Sequence, residues 1–229
     1  MNEVQIAYIC LQILPALVYL HEEKFIMHLD IKGDNILVDK NYEMMITDFG
    51  VSVQLQSKDG KFNEMRGSSY WMCPEMIGEN VSFTTKADIW SFGILVYETM
   101  HKGAPPRFEL SPKEAIDMIR VNPVPKLEDP DRWSEELRDF LRVILCKDPN
   151  QRWSARELLQ HEFLTSKGVL DPLLIFGLGL GLDGAALATV ATRAFMVAIG
   201  VHALVRVHKL FRMPDAAALR AALRPFLAI

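Results

Sequence analysis

The spacing of apolar positions changes period several times along the chain, and each change marks a predicted element. Across residues 4–21 the apolar side chains Ile6, Ile9, Cys10, Ile13, Leu14, Leu17, Val18 and Leu20 recur at intervals of three and four, which predicts an amphipathic helix. Pro15 lies inside that pattern and predicts a lost hydrogen bond and a kink. Residues 36–38 and 44–47 are short apolar runs joined by Asp39-Lys40-Asn41-Tyr42 and read as a β-hairpin. Residues 51–69 are polar and aperiodic, with a turn signal at Lys58-Asp59-Gly60-Lys61, and read as a surface loop. Residues 84–103 are apolar nearly all round, the pattern of a buried helix. Ser111-Pro112-Lys113-Glu114 is a capping box with proline at the first helical position, and the prolines of residues 122–130 end the helix it starts. Further helices are predicted near 134–146 and from the Ser154–Glu157 box through Leu159 to His161-Glu162-Phe163-Leu164. The fold class is therefore mainly α with a short β-hairpin.

From Gly168 the composition shifts to Ala, Leu and Gly. Residues 173–182 are continuously apolar, but Asp183 and Arg193 interrupt before the roughly 18 residues expected of a membrane span. His202, Arg206 and Lys209 then form a basic face at helical spacing, and Leu219, Leu223, Phe226 and Leu227 suggest a last amphipathic helix. Membrane association through residues 168–212 is one expectation. Packing on the rest of the chain, partner binding and a mis-joined reading frame are the others. A formal charge of −4 predicts no general affinity for nucleic acid. Three widely spaced cysteines, Cys10, Cys73 and Cys146, and the lack of a secretory signal point to a reducing, cytoplasmic setting.

The hairpin gives the chain its candidate chemistry, because it would bring Asn35 and Asp48 to neighbouring strand ends. A neutral carbonyl beside a carboxylate suits Mg²⁺, which takes one or two protein ligands and completes its shell with water and phosphate. Asp30 and Lys32, two apart on an extended loop, would project to one side. Asp30 can orient a hydroxyl and accept its proton, and Lys32 can neutralise charge on a transferred phosphoryl group.

The stretch Ile26-Met27-His28-Leu29-Asp30-Ile31-Lys32-Gly33-Asp34-Asn35-Ile36-Leu37-Val38, followed by Thr47-Asp48-Phe49-Gly50, resembles the catalytic loop and metal-binding segment of eukaryotic protein kinases. The Asp-x-Lys-x-x-Asn spacing resembles the serine/threonine branch. Gly67-Ser68-Ser69-Tyr70-Trp71-Met72-Cys73-Pro74-Glu75 resembles the end of an activation segment, and Asp88-Ile89-Trp90-Ser91 the central helix of the C-terminal lobe. Together with Leu158-Leu159-Gln160-His161-Glu162-Phe163, these look most like the sterile-twenty group, over residues 4 to about 166. The resemblance implies ATP and Mg²⁺ as cofactors and a protein Ser or Thr hydroxyl as acceptor. It makes Asp30 the catalytic carboxylate and Asn35 and Asp48 the metal ligands, and puts Leu37 beneath the adenine. It also implies that His28 and Phe49 pack in the core, that Asp88 holds the catalytic-loop backbone, and that Glu75 and Arg152 form a buried ion pair.

Departures from the family pattern matter as much. No Gly-rich phosphate loop, strand Lys or partner Glu precedes the first helix. The expectation is a kinase C-terminal lobe over residues 1–166 with the N-terminal lobe absent, an unassigned apolar tail over 167–229, and no phosphotransfer by these residues alone. Leu29 stands where most kinases carry the Arg that receives an activation-segment phosphate, and Glu64 stands at the acceptor Thr. Glu64, Ser68 and Ser69 thus belong to a segment no longer governed by phosphorylation, or to a degenerate copy. The alternative function is a non-catalytic, pseudokinase-like docking module.

Overall fold

The computed structural model describes residues 1–57, 59–78, 81–101 and 103–167. Helix α1 (Glu3–Val18) is opened by a capping box between Asn2 and Gln5 and buries Ile6, Ile13, Leu14 and Leu17. It continues past Pro15 to Val18 and widens into a π turn at Tyr19–Glu23. Pro15 is exposed, so the bond it cannot donate is lost where water can stand in. The span Glu3–Glu23 is long and apolar enough to cross a membrane, yet 67% of its most apolar window is buried in this fold. It is a core helix.

Helix α2 (Lys86–Met100) is the hub, with Trp90 and Phe92 fully enclosed. Gly93 lets α4 (Glu135–Ile144) approach closely, since a Cβ there would sit 2.4 Å from Ile144 Cγ2. Between them in sequence, α3 (Pro112–Val121) starts at the Ser111–Glu114 capping box and buries only Ala115 and Ile119. Short helices α5 (Ala155–Leu158) and α6 (Glu162–Lys167) close the described part, and both pack on α1. The single last helix expected from residue 154 is thus two, separated at Leu159–His161.

Two small antiparallel sheets complete the fold. Strands β2 (Ile36–Val38) and β3 (Met44–Ile46) form the expected hairpin, with Leu37 opposite Met45. Strand β1 (Ile26–Met27) pairs with β4 (Val53–Gln54), inside the stretch expected to be only loop. Two residues are too few to display alternation, and the partner lies far upstream. A further bridge joins Phe62 to Phe83. The readings made for residues 168–229 fall outside the described residues.

Candidate active site

The loop from His28 to Asn35 is pinned from below by Asp88 near the start of α2. Asp88 is fully buried and accepts three hydrogen bonds: Leu29 N at 2.7 Å, His28 N at 2.8 Å and the His21 ring at 2.8 Å. Such acceptance suits a buried carboxylate, whose desolvation must be met by donors. The loop is bent sharply there, with Leu29 at φ 67°. His28 is buried as well. Its Nε2 faces the Thr47 carbonyl at 3.0 Å and its Nδ1 faces Asp30 N–H at 3.3 Å, partners that assign the proton to Nε2.

Asp30 lies at the centre of a compact polar group. Its Oδ2 accepts from Lys32 Nζ and from Asn35 Nδ2, each at 2.9 Å, and Asn35 Nδ2 also reaches the Asp30 carbonyl at 2.8 Å. Its Oδ1 is the sole buried side-chain polar atom among the described residues without a hydrogen-bond partner. Burial alone would raise the Asp30 pKa, but the Lys32 ammonium, the Ser68 hydroxyl and the Asn35 amide outweigh it and hold the carboxyl below its usual value. Lys32 Nζ also donates to Ser68 Oγ at 2.7 Å, joining the loop to the stretch 67–75.

Asn35 turns its amide nitrogen towards Asp30, which leaves its carbonyl end for a ligand. Thr47 N–H and Thr47 Oγ1 both donate to the Asn35 backbone carbonyl, at 2.9 and 3.2 Å, and so carry Asp48 alongside. Asp48 is exposed, sits at φ 62° and accepts from Gly50 N–H at 3.2 Å. No cluster of three metal-ligating side chains occurs among the described residues. Two hard oxygens, one neutral and one anionic, instead fit Mg²⁺ shared with a phosphate.

The stretch 67–75 is held at several points. Gly67 takes φ 97°, and a Cβ on it would lie 2.0 Å from the Leu29 carbonyl oxygen, so only glycine allows the two segments to meet and Ser68 to reach Lys32. Trp71 Nε1 donates to Glu98 Oε2 at 3.2 Å, and Ser91 Oγ donates to the Trp71 carbonyl at 2.8 Å. Burial raises the Glu98 pKa against the bonds from Trp71 and Gly33. Glu75 meets Arg152 through two bonds, at 2.6 and 3.0 Å. Ser69 opens the short turn Ser69–Trp71. Glu64 stands apart from the loop, paired with Arg66 at 2.6 Å on the surface, while Leu29 is buried among apolar side chains.

One expectation needs correction. Phe49 touches the His28 ring edge-on at 4.8 Å but is 46% exposed, so it lies on the rim of the site and not in the core. No described residue covers its outer face. Leu37, opposite Met45 in the hairpin, is 56% exposed, a different matter because the sequence reading did not place it in the core. Residues that the sequence reading did not single out for the site are His21, Thr47, Trp71 and Glu98. His21 carried a signal in the Tyr-Leu-His that ends the helical pattern; the others carried none in their spacing.

A family model described as protein kinase domain matches residues 1–164. The chain is 45% identical to the serine/threonine-protein kinase dst1 of Dictyostelium discoideum over 172 residues, covering 75% of this chain and 23% of that protein. It is 42% identical to the serine/threonine-protein kinase hippo of Drosophila melanogaster over 177 residues, 76% of this chain and 26% of the relative. It is also 42% identical to the serine/threonine-protein kinase PAK 1 of Mus musculus over 164 residues, 72% of this chain and 30% of the relative. The chain thus spans less than a third of the length of each of these relatives. It belongs to the protein kinase family, among the serine/threonine kinases of the sterile-twenty type.

Proposed function

We propose that residues 1–166 are the C-terminal-lobe part of a serine/threonine kinase catalytic domain acting on a protein hydroxyl in a cytoplasmic setting, with 167–229 a separate tail. The observation that supports this most is the asymmetry of Asp30. One oxygen is fixed by Lys32 and Asn35, and the other is buried without a partner, ready to accept the proton of an incoming hydroxyl. The lowered pKa keeps the carboxylate ionised at neutral pH. Lys32, bridging Asp30 and Ser68, balances negative charge where the phosphoryl group would pass. Asn35 and Asp48 would hold Mg²⁺, and Leu37 would underlie the adenine. When bound, Mg²⁺ and ATP supply the phosphoryl group and part of the charge neutralisation.

The exposure of Leu37 and Phe49 means that this platform needs a cover before nucleotide is enclosed. Residues 1–229 by themselves are therefore expected to transfer no measurable phosphoryl, and transfer abolished by Asp48→Asn would overturn that expectation. The reading as a whole is tested on the native gene product with ATP, Mg²⁺ and a generic protein acceptor. Transfer to Ser or Thr should fall at least about 100-fold in Asp30→Asn, the scale of a lost general base. A folded native product that transfers nothing would favour the docking module.

A further inference from the structure

Ser111 is followed by proline and lysine, and it begins the sole Ser-Pro or Thr-Pro dipeptide in the 229 residues. Ser111, Pro112, Lys113 and Glu114 are all exposed. Ser111 has φ −65° and ψ 156°, an extended conformation close to polyproline II, so it is already shaped to lie in a groove. Pro112 brings no amide N–H after the acceptor. A recognition pocket that leaves an amide there unpaired rejects every other residue and admits proline.

The serine also caps α3. Its hydroxyl donates to Glu114 Oε2 at 2.6 Å, its N–H donates to the same oxygen at 3.0 Å, and its Oγ accepts from Glu114 N–H at 3.4 Å. A phosphate on Oγ removes the proton that holds Glu114 and adds close to two negative charges beside it, about −1.5 to −2 at neutral pH. Repulsion pushes Glu114 out, and attraction to the first N–H groups of α3 and to Lys113 holds the phosphate in. Since the Glu114 side chain is in open solvent, it can swing away, and the cap changes hands.

That change is not confined to the cap. The preceding residue, Leu110, accepts a hydrogen bond from Tyr70 Oη at 2.7 Å, the Tyr70 ring lies 5.4 Å from Phe108, and α3 packs on the Ser69–Trp71 turn. We propose that Ser111 is a phosphorylation site for a proline-directed protein kinase acting in trans, and that the phosphate displaces Glu114 and shifts the Ser69–Trp71 turn. In the modification, Ser111 Oγ attacks the γ-phosphorus of ATP and the bond to the β-phosphate oxygen breaks. The hydroxyl proton passes to the modifying enzyme's base, and ADP leaves. The site does not depend on this chain being catalytic.

The test incubates the folded 229-residue chain with a proline-directed kinase and ATP, followed by intact mass, site mapping and amide hydrogen exchange. One phosphate is expected, on Ser111, absent from Ser111→Ala and Pro112→Ala and retained on Ser111→Thr, with altered exchange at residues 69–71. Thermal unfolding of Pro112→Ala within a few degrees of the parent chain separates lost recognition from lost fold. No incorporation into the folded chain, incorporation that persists in Ser111→Ala, or equal incorporation in Pro112→Ala would overturn the site. Unchanged exchange at 69–71 would overturn the coupling.

Discussion

Removing the Arg152 guanidinium should unfold the chain at markedly lower temperature. The side chain is fully buried and makes four hydrogen bonds: two to Glu75, one to the Lys86 carbonyl at 2.7 Å and one to the Cys146 carbonyl at 3.0 Å. Its guanidinium also lies over the Trp90 ring at 5.0 Å. Arg152→Met leaves a largely enclosed carboxylate and two carbonyls short of a donor, and breaking one side of such a pair costs about 3–5 kcal/mol. For a chain this long each kcal/mol is worth about 2–4 °C, so the midpoint should fall by about 6–20 °C. Glu75→Gln should cost a similar amount, because the guanidinium it abandons has no access to water. The double variant Arg152→Met/Glu75→Gln should be less damaged than the sum of the singles by about 0.5–3 kcal/mol, since it leaves no unpaired charge. Thermal unfolding of the four chains decides the matter. Single variants that each lose under about 1 kcal/mol, as surface pairs do, or a strictly additive double, would refute the reasoning.

Other outcomes follow from the same geometry. Gly67→Ala should lower thermal stability by at least about 1–3 kcal/mol, the cost of forcing a non-glycine residue into this backbone conformation, with the clash on the Leu29 carbonyl added; an unchanged midpoint would contradict it. Asp88→Asn should strip hydrogen-exchange protection from the His28 and Leu29 amides, because one acceptor oxygen becomes an NH₂ facing donors. Carboxyl NMR should find Asp30 titrating below the ordinary carboxylate range and Glu98 above it. The signs differ accordingly: the Asp30 contribution is complete above its unfolded value near 4 and is lost as pH falls through the depressed folded value. Ionising Glu98 instead erodes stability as pH rises from its unfolded value, near about 4.3, to the raised folded one. A reversed order of the two titrations would be inconsistent with this account.

What could be read from the sequence divides by range. Capping boxes at Ser111 and Ser154 and the apolar period of α1 are local signals, and the helices start where those signals lie. The hairpin's turn was equally local, and through it the approach of Asn35 to Asp48. Contacts across long separations left no mark in spacing. Strand β4 is two residues long, and the tie from Trp71 to Glu98 depends on how α2 packs. For Arg152 and Glu75, 77 residues apart, only the family resemblance suggested a meeting. Exposure was the least legible property: Phe49 and Leu37 are apolar residues in apolar runs, and nothing in their sequence neighbourhood says that their outer faces stay open.

The claim that Asn35 and Asp48 form a divalent-cation site beside Asp30 is tested most directly by NMR of residues 1–229 titrated with Mn²⁺ and ATP. Selective broadening should begin at Asn35 and at residues 48–50 and spare the surroundings of Arg152, and Asp48→Asn should abolish the pattern. Broadening that starts elsewhere, or that survives Asp48→Asn unchanged, would contradict the account.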